Sequence, residues 1–182
     1  MNKKELRERM RKKTGINRKR DSQIINKVIS LPEYDAAKSI FVYIGAGDEI
    51  NTDYLVDDML KKDKAVYVPL CLGKGEMVAK RISSRDELKE GMYGIPEPGA
   101  EDLEIPPEDI SLVIVPGVAF GRDFTRLGRG GGYYDRFLEK ASGATLVAPC
   151  REENLLETVP VDEHDRSVDV IVTNEEVLRK DR

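Results

Sequence analysis

Apolar positions recur along this chain in two periods, and the switching between them is its first structural signal. Ile24, Ile25, Val28 and Ile29 fall at helical spacing, which predicts a helix over about 20–30 ahead of Pro32. Leu55, Val56, Met59 and Leu60 repeat that stripe over 52–62, with Asn51 or Thr52 as the cap. Between them SIFVYIG (39–45) is β-branched and aromatic and stops at Gly45, as a strand does. AVYVPLCL (65–72) and EMVAKRI (76–82) predict two strands joined by Gly73-Lys74-Gly75, a hairpin. SLVIVPG (111–117) is apolar without interruption, the mark of a central strand buried on both faces.

TLVAP (145–149) and VDVIVT (168–173) predict further strands, residues 133–141 a helix, and NEEVLRK (174–180) a closing helix. At the amino end NKKELRERMRKK (2–13) consists of good helix formers, and Gly15 offers a stop. Ser84 with Glu87 forms a capping-box pattern for a short helix ending at Gly91. Residues 92–109, with four prolines and two glycines, read as loop. Strands alternating with helices around a fully apolar strand predict an α/β layered fold, and the hairpin makes its sheet mixed.

Composition narrows the class. The chain has 182 residues, enough for one domain with a real core, and contains no repeat or linker. No apolar run approaches the ~18 residues of a membrane span, and no apolar signal core follows the first basic residues. A cytoplasmic protein without membrane association is expected. Cys71, Cys150 and His164 are too few for a four-ligand zinc site, and the two thiols are expected to be free.

Charge adds more than the net value of -4 suggests. Residues 1–20 hold ten Lys/Arg against two Glu, whereas the remainder holds twenty basic and thirty-two acidic residues. A basic arm on an acidic body points to a local anionic partner: a phosphate-bearing ligand, a nucleic acid, or the body itself.

The densest chemistry is RLGRGGGYYD (126–135), after the central strand and opening onto a helix. Successive glycines let backbone N–H groups converge on an anion, and a helix start adds its positive end. Arg126 and Arg129 could add forked donors to phosphate oxygens. A tight strand-to-helix connection also needs glycine, but has no use for two arginines and two tyrosines. The run is neither a P-loop nor a dinucleotide fingerprint. Asp135 and Asp165 are candidates for a hard cation such as magnesium, although a first-turn acid beside a helix dipole is the simpler role for Asp135. No serine or cysteine stands in a nucleophile pattern.

VPGVAFGRDFTRLGRGGGYYDRFL (115–138) resembles the signature of the 5-formyltetrahydrofolate cyclo-ligase family. KKELR (3–7), YIGAGDEINT (43–52), GIPEP (94–98) and VPVDEHDRSVDVIVT (159–173) resemble other motifs of the same family, in the same order. The resemblance implies a single-domain, Rossmann-like three-layer α/β/α fold with a mainly parallel sheet. It implies ATP- and magnesium-dependent closure of 5-formyltetrahydrofolate to 5,10-methenyltetrahydrofolate, with release of ADP and phosphate. By the same resemblance, Lys3, Lys4 and Arg7 contact the ATP phosphates. Arg126, Leu127, Gly128, Arg129, Gly130, Gly131, Gly132, Tyr133 and Tyr134 hold the triphosphate, with Arg129 and Tyr133 nearest the formyl group. Arg126, Arg129 and Tyr133 are thus the expected catalytic residues. Glu49 hydrogen-bonds the pterin beside Ile44, residues 129–133 border the folate, and Asp135 and Asp165 align with magnesium-linked positions. The chain differs from many members at Gly121 and Thr125, from some at Gly131, and in CREEN (150–154). Small-molecule partners only are expected, with no nucleic acid and a monomeric state. A nucleic-acid module, and a non-catalytic folate binder or sugar-phosphate enzyme on a related fold, are the competing readings.

Overall fold

The computed structural model describes residues 1–13 and 15–181. Its helices are α1 (Lys3–Lys13), α2 (Arg18–Ile29), α3 (Pro32–Ala36), α4 (Asp53–Lys61) and α5 (Tyr133–Lys140). The first seven strands are β1 (Ser39–Val42), β2 (Ala65–Gly73), β3 (Glu76–Ile82), β4 (Lys89–Glu90), β5 (Pro96–Glu97), β6 (Glu104–Ile105) and β7 (Leu112–Ile114). Six more follow: β8 (Ala119–Gly121), β9 (Arg126–Leu127), β10 (Thr145–Pro149), β11 (Leu155–Leu156), β12 (Val170–Val172) and β13 (Val177–Arg179).

The main sheet runs β13-β12-β10-β7-β1-β2-β3-β6. Its five central strands, from β12 to β2, are parallel, and antiparallel β13, β3 and β6 complete the two edges. The sheet is therefore mixed and mainly parallel. Strand periodicity sorts its side chains onto two faces. Ile40, Val42, Val66, Val68, Leu112 and Ile114 pack in one core with Ile24, Val28, Tyr34, Leu55 and Met59 from α2, α3 and α4. Phe41, Tyr67, Val113, Leu146 and Ala148 face the other way, against Phe137 and Leu138 of α5. Phe41 stacks on Phe137 at 4.3 Å. Layers of helix, sheet and helix follow from that alternation alone.

A third, smaller core lies outside these layers. Leu6 and Met10 of α1 pack on Ala119, Leu127 and Val159, over a three-stranded sheet of order β11-β8-β9. The basic arm is thus held on the body by a thin apolar seam, beside the glycine-rich run that starts in β9.

Several expectations need correction. Residues 174–180 do not form a helix: Val177–Arg179 pair antiparallel with β12, in register Val172↔Val177 and Val170↔Arg179. The Thr173 hydroxyl accepts from the N–H groups of Glu175 (3.1 Å) and Glu176 (3.0 Å), and this local turn reverses the chain before a helix can start. The helix expected over 84–91 is only a 3₁₀ turn, Arg85–Glu87, followed by β4. Ser84 does cap it, accepting from Asp86 N–H, but Glu87 reaches back to Ser83 instead. Pro32, expected to mark the end of a helix, stands at the start of α3, where its missing N–H costs nothing. The loop expected over 92–109 contains the short strands β5 and β6.

Candidate functional site

The chain leaves β1 toward β2 on one side and returns to β7 on the other, so a crevice opens at the carboxyl ends of β1 and β7. Tyr43 and Ile44 form one wall of that crevice, Pro116 and Gly117 the other. The wall after β1 is fixed by Thr52 at the start of α4. Its hydroxyl donates to the Tyr43 carbonyl (2.6 Å) and accepts from Gly45 N–H (3.1 Å). Gly45 tolerates no side chain there, because a Cβ would sit 2.4 Å from the Ile50 carbonyl oxygen. The expectation that Asn51 or Thr52 caps α4 is met by a division of labour: the Asn51 carboxamide accepts from Asp53 N–H, while Thr52 staples the site loop.

Two cavities share this crevice. The larger, about 540 Å³, is lined by Ile44, Pro69, Cys71, Met77, Tyr93 and Ile95 on its apolar sides. Glu49, Glu97, Arg126, Arg129, Gly128, Gly131, Gly132, Tyr133, Tyr134 and Asp135 complete it. The smaller, about 150 Å³, is bordered by Arg7, Arg11, Arg129, Arg151 and Asn154. Tyr43, Asp48, Glu49, Pro116, Gly117 and Arg129 line both. Arg129 stands on this common wall, bonded to Asp48 (2.6 Å) and 3.7 Å from Glu49.

The glycine run makes the tight strand-to-helix connection that its sequence allows. Gly130 (φ +106) and Gly132 (φ +77) adopt left-handed conformations that only glycine takes freely, and Gly132 caps α5. The same turn aligns Gly131, Gly132 and Tyr133 along the large cavity. Leu127 is the exception: its side chain points away, into the seam under α1. The buried Arg126 donates to the Pro116 carbonyl (2.7 Å) and to Asp135 (3.2 Å), and lies over the Tyr134 ring. Tyr133 hydroxyl and Tyr93 hydroxyl meet at 3.0 Å, closing one side of the cavity mouth. Tyr93 holds a left-handed conformation there (φ +63), a strained choice for a bulky residue.

The amino-terminal segment comes to this run from 121 residues away in sequence, where Arg7 Nε donates to the Gly128 carbonyl at 2.8 Å. Gly130 lies under the Arg7 guanidinium, 3.4 Å from where a Cβ would be. Lys3 is engaged otherwise, at 2.6 Å from both Asp162 and Asp165. Lys4 is exposed and has no ion pair among the described residues. Asp165 also accepts from Asp162 N–H (2.8 Å) and does not border either cavity, whereas Asp135 lines the large one.

Electrostatics follow the same division. Burial raises the Glu49 pKa above its ordinary value, and Arg129 only partly offsets it. Burial would also raise Asp48, but its bond to Arg129 and that cation's charge prevail and hold it low. For Asp165 burial is again outweighed, by the hydrogen bond from Lys3, and the net direction is down. Burial, with Glu97 adjacent, pushes the Cys71 thiol up to about 11, which leaves it a poor nucleophile. Cys71 and Cys150 are both free thiols.

Sequence reasoning missed Arg151 and Asp21. Arg151, within the segment where the chain departs from its resemblance, donates two parallel bonds of 2.9 Å to Asp21 of α2. Its third bond, 2.7 Å, goes to the Asp48 carbonyl, so this buried pair holds the loop that meets Arg129. No periodicity marks either residue. Arg151 follows directly on β10 and Cys150, and a charge abutting a buried strand was the one available sign.

With this geometry in place, a family model described as the 5-formyltetrahydrofolate cyclo-ligase family matches residues 2–174. The chain belongs to that family. It is accordingly an enzyme, a ligase. A relative named "Probable 5-formyltetrahydrofolate cyclo-ligase" from Schizosaccharomyces pombe is 35% identical over 178 residues, covering 87% of each chain. The 5-formyltetrahydrofolate cyclo-ligase of Mus musculus is 30% identical, covering 92% of this chain and 89% of its own. The NMR structure of Aquifex aeolicus 5,10-methenyltetrahydrofolate synthetase superposes with a TM-score of 0.88 at 34% identity. That alignment covers 100% of this chain and 95% of the other. Cyclo-ligase membership thus embraces nearly the whole length, from the basic arm to β12.

Proposed function

We propose that this cyclo-ligase closes 5-formyltetrahydrofolate to 5,10-methenyltetrahydrofolate at the expense of ATP, releasing ADP and phosphate. The observation that carries the reading is Arg129 on the wall between an apolar cavity and a smaller arginine-lined one. A reduced pterin, flat in its pyrimidine ring, suits the larger cavity, and an anionic group suits the cationic side. The nucleotide's phosphates lie along the seam of α1 and the glycine run, with Arg7, Lys4 and Arg129 as cations and the 130–133 backbone as donors. Ile44 and Glu49 border the ring near its reacting edge.

The reaction then needs no protein nucleophile. The formyl oxygen attacks the γ-phosphorus while the bond to the bridging oxygen of ADP breaks. The lone pair of N10 next attacks the activated formyl carbon. The C–O bond breaks to release phosphate, and the N10 proton leaves to solvent. Phosphoryl transfer asks mainly for positioning and charge neutralisation, which Arg129 and the backbone donors supply. Tyr133, at the cavity mouth, orients the formyl oxygen.

Magnesium fits this donor set in a limited way. No group of three candidate metal ligands exists among the described residues, and Asp165 is occupied by Lys3. Asp135 borders the cavity with only one oxygen bonded to Arg126, and one carboxylate plus phosphate oxygens is an ordinary magnesium environment. Asp135 would therefore hold the ion together with the nucleotide, where it neutralises phosphate charge.

The test is spectrophotometric. Purified protein with 5-formyltetrahydrofolate, ATP and magnesium should accumulate methenyltetrahydrofolate absorbance, with one phosphate released per product. A folded protein that yields no product at any ATP concentration contradicts the proposal. No helix among the described residues is long and apolar enough to cross a membrane, so the assay calls for no lipid.

A further inference from the structure

Of the four carboxylates that line the large cavity, Asp48 and Asp135 are bonded to Arg129 and Arg126, and the two glutamates differ in what surrounds them. Glu49 is already occupied: it accepts from Ala46 N–H (3.1 Å) and lies 3.7 Å from Arg129. Glu97, on β5, is 9% exposed and has no ion pair among the described residues. Its one backbone donor is Cys71 N–H, at 3.3 Å from Oε1. The Cys71 thiol also hydrogen-bonds it, Gly91 faces the carboxylate, and Met77, Tyr93 and Ile95 line the same cavity. Gly91 is bare for a reason: a Cβ there would lie 2.2 Å from Glu97 Oε2. An ionised carboxylate offers about four acceptor sites, and burying one without a cation or a full set of donors costs several kcal/mol. Such a group is retained where a ligand supplies the missing donors.

We propose that Glu97 is the specificity-determining residue for the pterin, accepting two parallel hydrogen bonds from the ring's N3–H and 2-amino group. This inference rests on the folate reading above and deepens it. The two N–H groups of that edge point the same way, at the spacing of the two carboxylate oxygens, so the pair is bidentate and charge-assisted. Apolar walls around Glu97 accept the ring faces. Glu49, on the Arg129 side, is left to the opposite edge, near the formyl group. Backbone amides of the glycine run cannot substitute, because they donate, as does the ring edge.

The experiment is calorimetric titration of the full chain, without nucleotide, using 5-formyltetrahydrofolate and its 2-desamino analogue. Wild-type protein should bind the desamino analogue roughly 10- to 100-fold more weakly. E97Q should bind 5-formyltetrahydrofolate weaker by a similar factor and no longer distinguish the two ligands. In steady state, E97Q should raise KM for the folate while KM for ATP and the melting temperature stay in place. Equal affinity of wild-type protein for both ligands overturns the inference, and that arm needs no folded variant. So does an E97Q protein that binds and discriminates as wild type does; should E97Q fail to fold, E97D serves, with weakened binding expected. Turnover in wild type with Glu97-independent binding refutes this inference alone. Glu97-dependent binding without turnover refutes the catalytic reading alone, and no folate binding at all refutes both.

Discussion

The two cavities meet at Arg129 yet are built from opposite materials. The larger is walled by Ile44, Pro69, Met77 and Ile95, and most of its charges are paired, Arg126 with Asp135 and Arg129 with Asp48 and Glu49. The smaller brings Arg7, Arg11, Arg129 and Arg151 around a space of about 150 Å³. They also differ in what holds them. The large cavity rests on the segments after β1 and β7, on β2 and β3, and on the run from Tyr93 to Glu97. The cationic side depends on α1, which is held by Leu6 and Met10 and by polar bonds. Under the proposed function, a ring that must be desolvated and aligned would use the apolar half, and an ion recognised by its charge would use the half with the thinner core.

The largest expected break in this comparison is at Arg151. Arg151→Ala leaves Asp21 buried without its partner and should cost about 3–5 kcal/mol of stability. Urea denaturation checks it; a loss under 1 kcal/mol would mean the pair does not hold the cationic half in place. Next is Arg129→Ala, on the shared wall. Turnover should fall about 100- to 1,000-fold, because the lost charge acts where phosphoryl transfer occurs. Arg129 is mostly exposed, so the melting temperature should move by only about 2 °C or less. Unchanged turnover would contradict its assignment.

Lys4→Ala should act more gently, raising the apparent KM for ATP several-fold with KM for the folate unchanged, as one exposed cation contributes about 1 kcal/mol or less. A shift in the folate KM alone would move Lys4 to the other half. The smallest effect is acid-dependent. Asp165 is held below its ordinary value near 3.8, so it stabilises the docked arm above that value and releases it as pH falls through its lowered pKa. Amide exchange in α1 should therefore quicken below about pH 4, ahead of exchange in β1 and β7. Equal acceleration in both would place the arm in the main cooperative unit.

Much of the apolar half is readable from sequence because burial leaves a period. Ile40, Phe41 and Val42 alternate faces, and Ile24 to Val28 stripe one side of a helix, so strands and helices announce themselves. Carboxyl-terminal strand ends then locate the crevice. The glycine run is visible as chemistry, but no spacing links it to α1; the resemblance alone puts both on one phosphate group, and folding brings Arg7 to Gly128. Thr173 misleads for a local reason: its hydroxyl forms a turn that overrides the helix propensity of NEEVLRK. Arg151 and Glu97 were illegible for another. Each is a charge whose meaning depends on what lies opposite it in space: Asp21 for one, the large cavity for the other.

The central claim is that α1 and the glycine run together hold the nucleotide's phosphates against the folate cavity. Amide chemical-shift mapping with a non-hydrolysable ATP analogue tests it most directly. The largest shifts should fall at residues 3–7 and 128–133, with Ile44 and Glu97 moving only when 5-formyltetrahydrofolate is added. Nucleotide-induced shifts that leave both of those segments unmoved would contradict it.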